Sequence, residues 1–208
     1  MKRFIRDLKY SFYILSHPSN GFYEMRFENR GSLPVCFSLL ALAVVAFVCN
    51  AFYSGFIFNT ENVREQNVFR EIANLLIPVI LWCVSNWSIT VLMDGEGRFR
   101  DIFMTVCYAS LPFTITAFVS LAMSHWMISG EAGFIGMVTS IGVGYTALLL
   151  FMGTLTIHQF TVIKTIATTI ITIACMVFIV FLAVLFAGMF DKLFDYITGI
   201  ITEIRLRV

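Results

Sequence analysis

The sequence predicts an all-α polytopic membrane protein with five transmembrane helices, and two observations lead to this fold class. Hydrophobic residues make up 59% of the 208 residues and charged residues only 13%, about half the charged share of a soluble domain. The charges are also clustered, so that five long runs contain no Asp, Glu, Lys or Arg: 31–60, 72–93, 102–130, 132–163 and 165–190. We therefore expect lipid around most of the chain.

Each uncharged run is long enough for one membrane crossing, and none is comfortably long enough for two. The runs contain 30, 22, 29, 32 and 26 residues, whereas about 20 apolar residues cross roughly 30 Å of hydrocarbon. Pro78 and Pro112 are expected to kink or begin the second and third helices. The predicted spans are Leu33–Phe58, Ile72–Met93, Ile102–Trp126, Phe134–Ile157 and Val162–Phe190.

Both ends of the chain carry amphipathic patterns outside this membrane domain, 33–190. In the N-terminal segment, 1–32, apolar residues recur at helical spacing up to His17-Pro18, where a turn is expected. Its basic start is typical of a helix lying on an anionic membrane surface; a helix in solvent or packed on the bundle is the alternative. The tail, 191–208, predicts a helix that leaves the membrane or lies along its outer face.

Basic residues outside the spans predict the orientation. Nine lie on the side of the N-terminus and five on the opposite side. By the positive-inside rule, the N-terminus is cytoplasmic and the C-terminus is extracytoplasmic.

The sequence predicts no catalytic, cofactor or metal site. Proton-driven transporters and intramembrane proteases place ionisable groups at membrane depth, and the five spans contain no carboxylate or basic residue. His125 and His158 lie near span ends, where a histidine usually has an interfacial or capping role. The five cysteines all fall in predicted spans and are interpreted as packing residues. A net charge of +1 gives no reason to expect nucleic acid.

The loop between the second and third spans is the candidate docking surface on the cytoplasmic side. Three carboxylates and two arginines within eight residues could contact a partner's charges or hold a divalent cation. In the plainer reading the loop is a turn, in which glycines permit the reversal and Asp101 caps the third helix. The candidate docking residues are Asp94, Glu96, Arg98, Phe99, Arg100 and Asp101.

Polar and small residues inside the spans form a candidate helix-packing face. Amides and threonines can bond to other helices, while a small residue at every fourth position lets two backbones approach closely. These residues are Asn50, Asn74, Asn86, Gly136, Ser140, Gly144, Thr161, Thr165, Thr168, Thr169 and Thr172.

Gly95-Glu96-Gly97-Arg98-Phe99-Arg100-Asp101 is followed by Tyr108-Ala109-Ser110-Leu111-Pro112-Phe113. In order and spacing, these stretches resemble the bacterial branch of the Yip (Ypt-interacting protein) membrane family. Further stretches that agree are 17–18 with 21–24, 30–32, 153–158 and 164–166, so the resemblance covers most of the chain. The resemblance implies five transmembrane helices and a cytoplasmic N-terminus. Eukaryotic relatives bind Rab GTPases through a longer N-terminal region with an Asp-Leu-Tyr-Gly-Pro motif, which this sequence lacks, so Rab binding is not implied.

These observations favour a non-enzymatic membrane adaptor in a bacterial plasma membrane. Its expected partners are the lipid bilayer and another integral membrane protein or a second copy of the chain. The family resemblance implies a role beside an ABC-type carbohydrate uptake system. The alternatives are a transporter or channel for a neutral solute or lipid, lined by the amides and threonines, and a protein that shapes membranes with its terminal helices.

Overall fold

A computed structural model of the chain describes residues 2–55 and 67–207. This described part is all helical and contains no strand. A short 3₁₀ helix, Ser129–Glu131, precedes the seventh α-helix. The α-helices are α1 Lys2–Ser16, α2 Pro18–Phe27, α3 Leu33–Tyr53, α4 Val68–Leu92, α5 Phe99–Ala109, α6 Leu111–Ser124, α7 Ala132–His158 and α8 Val162–Arg207.

Within residues 2–55 and 67–207, five helical rods are long and apolar enough to cross a membrane, which confirms the predicted fold class. They are α3, α4, α5 with α6, α7, and α8 as far as Ile200. Phe58, the predicted end of the first span, lies outside the described residues.

The third span consists of two helices because of a proline. Pro112 lies in the first turn of α6 and has no N–H to donate, so the helical hydrogen-bond ladder is interrupted beside it. Ser110 still has helical dihedral angles and donates its N–H to the carbonyl of Val106, so α5 and α6 form one nearly continuous rod. Pro78, by contrast, lies inside α4, which continues through it.

The N-terminal segment packs on the bundle. Of the two predicted placements, the alternative to a helix on the membrane surface is therefore the one observed. Ile14 of α1 and Phe22 of α2 are fully buried and join the main apolar core with residues of α3, α5 and α7. The Tyr145 hydroxyl donates to the Leu15 carbonyl oxygen. Tyr145 lies 13 residues before the end of α7, about 20 Å along the helix axis. The end of α1 therefore reaches the middle of α7.

The last helix, α8, continues without a break from the predicted fifth span into the predicted tail. It has 46 residues and is about 70 Å long, more than twice the roughly 30 Å of hydrocarbon in a bilayer. Its first turns pack against α4. From residue 183 to residue 200, every side chain is exposed.

Candidate functional site

The 94–98 loop joins α4 to α5 through a left-handed residue, Asp94, and a helix cap made by the Asp101 carboxylate. Asp94 has a φ of 54°, and the Gly95 N–H donates to the Thr90 carbonyl at 2.7 Å, which closes α4. Asp101 lies three residues inside α5 and accepts from the Arg98 N–H at 3.2 Å. Asp101 therefore caps the helix as expected, but it does so from the third residue of α5, because Arg98 occupies the cap position itself.

The two loop glycines are needed for close approach to a histidine rather than for the chain reversal. Neither has a positive φ. A Cβ on Gly95 would lie 2.6 Å from His158 Nδ1, and one on Gly97 would lie 2.5 Å from His158 Cε1. The Gly97 N–H donates to His158 Nδ1 at 3.2 Å. The loop backbone therefore rests directly on the imidazole ring at the end of α7.

His158 is enclosed by aromatic and polar side chains and is only 2% exposed. Phe160 stacks on its ring at a centroid distance of 5.3 Å. Because Nδ1 accepts a hydrogen bond, the neutral ring carries its proton on Nε2. In the described part of the chain neither that nitrogen nor the amide nitrogen of Asn86 has a hydrogen-bond partner, and both residues line one narrow gap between α4, α5 and α7.

Arg26 connects the N-terminal hairpin, α1 with α2, to the same loop. Its guanidinium donates to the Glu96 carbonyl oxygen at 2.9 Å and to the Glu96 carboxylate at 3.3 Å. The Arg26 side chain is 13% exposed, whereas that of Glu96 is 63% exposed. A surface ion pair contributes little by itself, so the bond to the backbone carbonyl is what positions the loop.

The remaining candidate docking residues are displayed around this anchored backbone. Arg98, Phe99 and Arg100 are exposed, and the Phe99 ring meets Trp87 edge-on at 6.1 Å. Asp94 is exposed and Asp101 is half-buried. Within residues 2–55 and 67–207, no three His, Cys, Asp or Glu side chains come together as a metal site, and the loop carboxylates are not gathered around a common point.

The three candidate amides lie in three different environments. Asn50 on α3 donates to the Ala117 carbonyl of α6 at 2.8 Å and so bonds two spans together. Asn86 is 1% exposed, beside His158. Asn74 on α4 is exposed. The structure therefore does not bring the three amides together.

The threonines of α8 divide between a buried and an accessible group. Thr165, Thr168 and Thr172 are fully buried, and the Thr168 hydroxyl lies 3.3 Å from the sulfur of Met93 at the end of α4. Thr169 is half-buried and Thr161 is exposed. The buried three form the side of α8 that meets α4.

The small-residue stripe of α7, which comprises Gly136, Ser140 and Gly144, faces away from the other helices. All three residues are exposed, and a Cβ on either glycine would meet nothing within 4 Å. Two other glycines of α7 do allow close packing. A Cβ on Gly142 would collide with Thr116 of α6, and one on Gly153 would collide with Thr105 of α5. Within one chain, this stripe has no partner among the described helices.

Sequence reasoning missed the roles of His158, Arg26 and Gly142. His158 was interpreted as an interfacial or capping residue, and Arg26 only as one basic residue in a charge count. One signal in the sequence was usable: His158 ends a long apolar run. A residue at such a position can be buried in the bundle as easily as it can lie at the membrane interface. No local pattern pairs it with a glycine 61 residues away.

Five apolar rods among the described residues define the class: an integral, polytopic, helical membrane protein. The sequence model of the Yip1 domain matches residues 12–185. The chain therefore belongs to the Yip1 domain family, whose members are membrane adaptors and are not known as enzymes. No curated protein and no solved structure matches the chain significantly.

Proposed function

We propose that this protein is a non-enzymatic membrane adaptor of the bacterial branch of the family, in a plasma membrane with its N-terminus in the cytoplasm. The observation that carries the proposal is the anchored 94–98 loop. His158 and Arg26 hold its backbone from two sides, while Arg98, Phe99 and Arg100 remain exposed.

A fixed loop backbone favours recognition because little conformational entropy is lost when a partner binds. Arginine and aromatic side chains are also enriched in the parts of protein interfaces that dominate affinity. The 94–98 loop lies at one end of the bundle, which we call the loop end. This end therefore suits contact with an acidic or mixed surface of another protein.

The small-residue stripe on α7 supports a second contact, within the membrane. Small residues allow two transmembrane helices to pack closely, and here two glycines and a serine face outward. A second copy of the chain or a different membrane protein fits this face.

The placement of the amides favours an adaptor over a transporter of neutral solutes. Asn50 is engaged with a neighbouring span, and Asn86 lies in a narrow gap at the loop end. Asn74 faces outward on α4. An uncharged path through the bundle would need such groups to follow one another, and these do not.

The partner proposed from the family resemblance is a membrane component of an ABC-type carbohydrate uptake system. The test is affinity purification of the chain from its own membranes in a mild detergent, followed by identification of what co-purifies. We expect a stoichiometric integral membrane partner, and we expect the double change Arg98→Ala with Phe99→Ala to reduce its recovery.

Arg70→Ala is the matched control, because Arg70 is also an exposed arginine but lies at the start of α4, away from the loop. Recovery should be unchanged in this variant. If the loop variant recovered as much partner as the wild type, or if no partner co-purified in any mild detergent, docking through the loop would be contradicted. Solute flux in liposomes that contain only this protein would favour the transporter instead.

A further inference from the structure

A wide groove opens between the N-terminal hairpin and the start of α3. Its volume is about 1250 Å³. One wall is α1, with Tyr10 and Tyr13, and the floor is the chain from Glu28 to Pro34. Four basic residues line it, and we call it the basic groove: Arg6, Lys9, Arg30 and Arg100.

The basic groove has an unbalanced positive charge. Its two acidic lining residues are already paired, Asp7 with Arg6 at 3.7 Å and Glu28 with Arg30 at 3.1 Å. Arg30 is also paired with Glu24, which is outside the lining. Within the described part of the chain, no carboxylate pairs with Lys9 or Arg100, and both are exposed. These two cations are therefore free to meet an anion.

The N-terminus of α3 adds to the positive potential at the floor. Ser32 is the cap residue, but its side chain makes no capping hydrogen bond. The helix dipole favours a negative group placed there, although Pro34 has no N–H and the Ser32 N–H is donated to the Tyr108 hydroxyl. The helix end supports the site, and the two unpaired cations define it.

An apolar stripe leads from the basic groove along the outside of α3. Pro34 belongs to both, and exposed apolar residues follow it at helical spacing: Phe37, Ala41, Leu42 and Val45. Residues three and four apart share one face of a helix. An anionic head above a long apolar face matches the shape of a phospholipid and not that of a free anion.

We propose that the basic groove binds the phosphate headgroup of an anionic phospholipid, whose acyl chains lie along the α3 stripe. Lys9 and Arg100 supply the unpaired charge, and the side chains of Tyr10 and Tyr13 line the same space. The site brings together α1, α3 and α5, so a bound lipid would connect the N-terminal hairpin to two spans. This inference is independent of the adaptor role.

The test is native mass spectrometry of the full chain, purified in detergent and titrated with phosphatidylglycerol or with phosphatidylcholine of the same acyl chains. We expect the wild type to bind phosphatidylglycerol preferentially. The double change Lys9→Gln with Arg100→Gln should reduce that preference about tenfold or more, since each surface cation contributes appreciably to binding of anionic lipid.

Two further variants test whether the loss of lipid preference comes from the groove itself or from a change in overall charge or in folding. Arg98→Gln removes an exposed arginine two residues away that does not line the groove, and it should keep the preference. Lys9→Arg with Arg100→Lys keeps both charges and should also keep it.

Three results would overturn the proposal. The first is no preference in the wild type, and the second is an equal loss with Arg98→Gln and with the groove variant. The third is that inorganic phosphate displaces phosphatidylglycerol and also stays bound to lipid-free protein. This result would show that the occupant is a free anion.

Discussion

At the scale of single residues, the loop end is built around a buried imidazole that supports a backbone. His158 accepts from the Gly97 N–H and lies under both loop glycines. The sequence identified the loop as a candidate site but not its support. His158 and Arg26 lie 61 and 70 residues from their loop partners, and hydropathy carries no information about contacts at such separations.

The contact between Gly97 and His158 can be tested by adding one methyl group. In Gly97→Ala the new Cβ would lie 2.5 Å from the imidazole and 2.6 Å from Ile157, so the loop or the ring must shift. We expect the free energy of unfolding to fall by roughly 1–3 kcal/mol, as for other overpacked sites, measured by denaturation in detergent. Gly130→Ala, with open space around the Cβ, is the control. Equal stability of the two variants would refute the close contact.

Tyr10 gives a pH-dependent test of the packed N-terminal hairpin. Its hydroxyl donates to the Gly21 carbonyl at 2.6 Å, and burial, with Glu24 nearby, raises the pKa of Tyr10 above its usual value of 10.0. Because the pKa is raised in the folded state, this contribution is fully present below pH 10 and is lost progressively as the pH rises from 10 through the folded-state pKa.

Tyr10→Phe should therefore be about 1 kcal/mol less stable than the wild type near neutral pH, and this deficit should shrink as the pH rises above 10 toward the raised folded-state pKa of Tyr10. The measurement is the unfolding midpoint as a function of pH. Tyr23→Phe alters an exposed tyrosine and should behave like the wild type throughout. A Tyr10→Phe deficit that does not change with pH would exclude this role of the hydroxyl.

At the scale of helices, the sequence predicted the spans well because hydropathy and charge depend on local composition. The second span was expected at Ile72–Met93 and α4 is Val68–Leu92. The N-terminal segment was harder, since an amphipathic face reads the same whether it meets lipid or protein. Here Ile14 and Phe22 meet protein, and only the three-dimensional packing distinguishes the two cases.

The packing of α6 on α7 depends on a glycine that differs from those of the predicted stripe. A Cβ on Gly142 would collide with the side chain of Thr116, so Gly142→Ala should separate the two helices and lower the free energy of unfolding by roughly 1–3 kcal/mol. Gly133→Ala, on the same helix but in open space, should be neutral or slightly stabilising. If Gly142→Ala were equally well tolerated, α6 and α7 could not be packed this closely.

At the scale of the whole molecule, the protein is a bundle with two kinds of surface left for partners. The loop end presents arginines and an aromatic ring on a fixed backbone, and α7 presents a stripe of small residues. Small residues are enriched where transmembrane helices pack on one another, so the exposed stripe on α7 indicates that another helix packs there. We therefore expect the chain to work together with a partner.

The most direct measurement is the mass of the particle purified from its own membranes, determined by light scattering in several mild detergents with the detergent contribution subtracted. We predict a protein mass well above the 23.6 kDa of one chain, from a stoichiometric partner or a second copy. A protein mass of 23.6 kDa in every detergent would contradict this prediction.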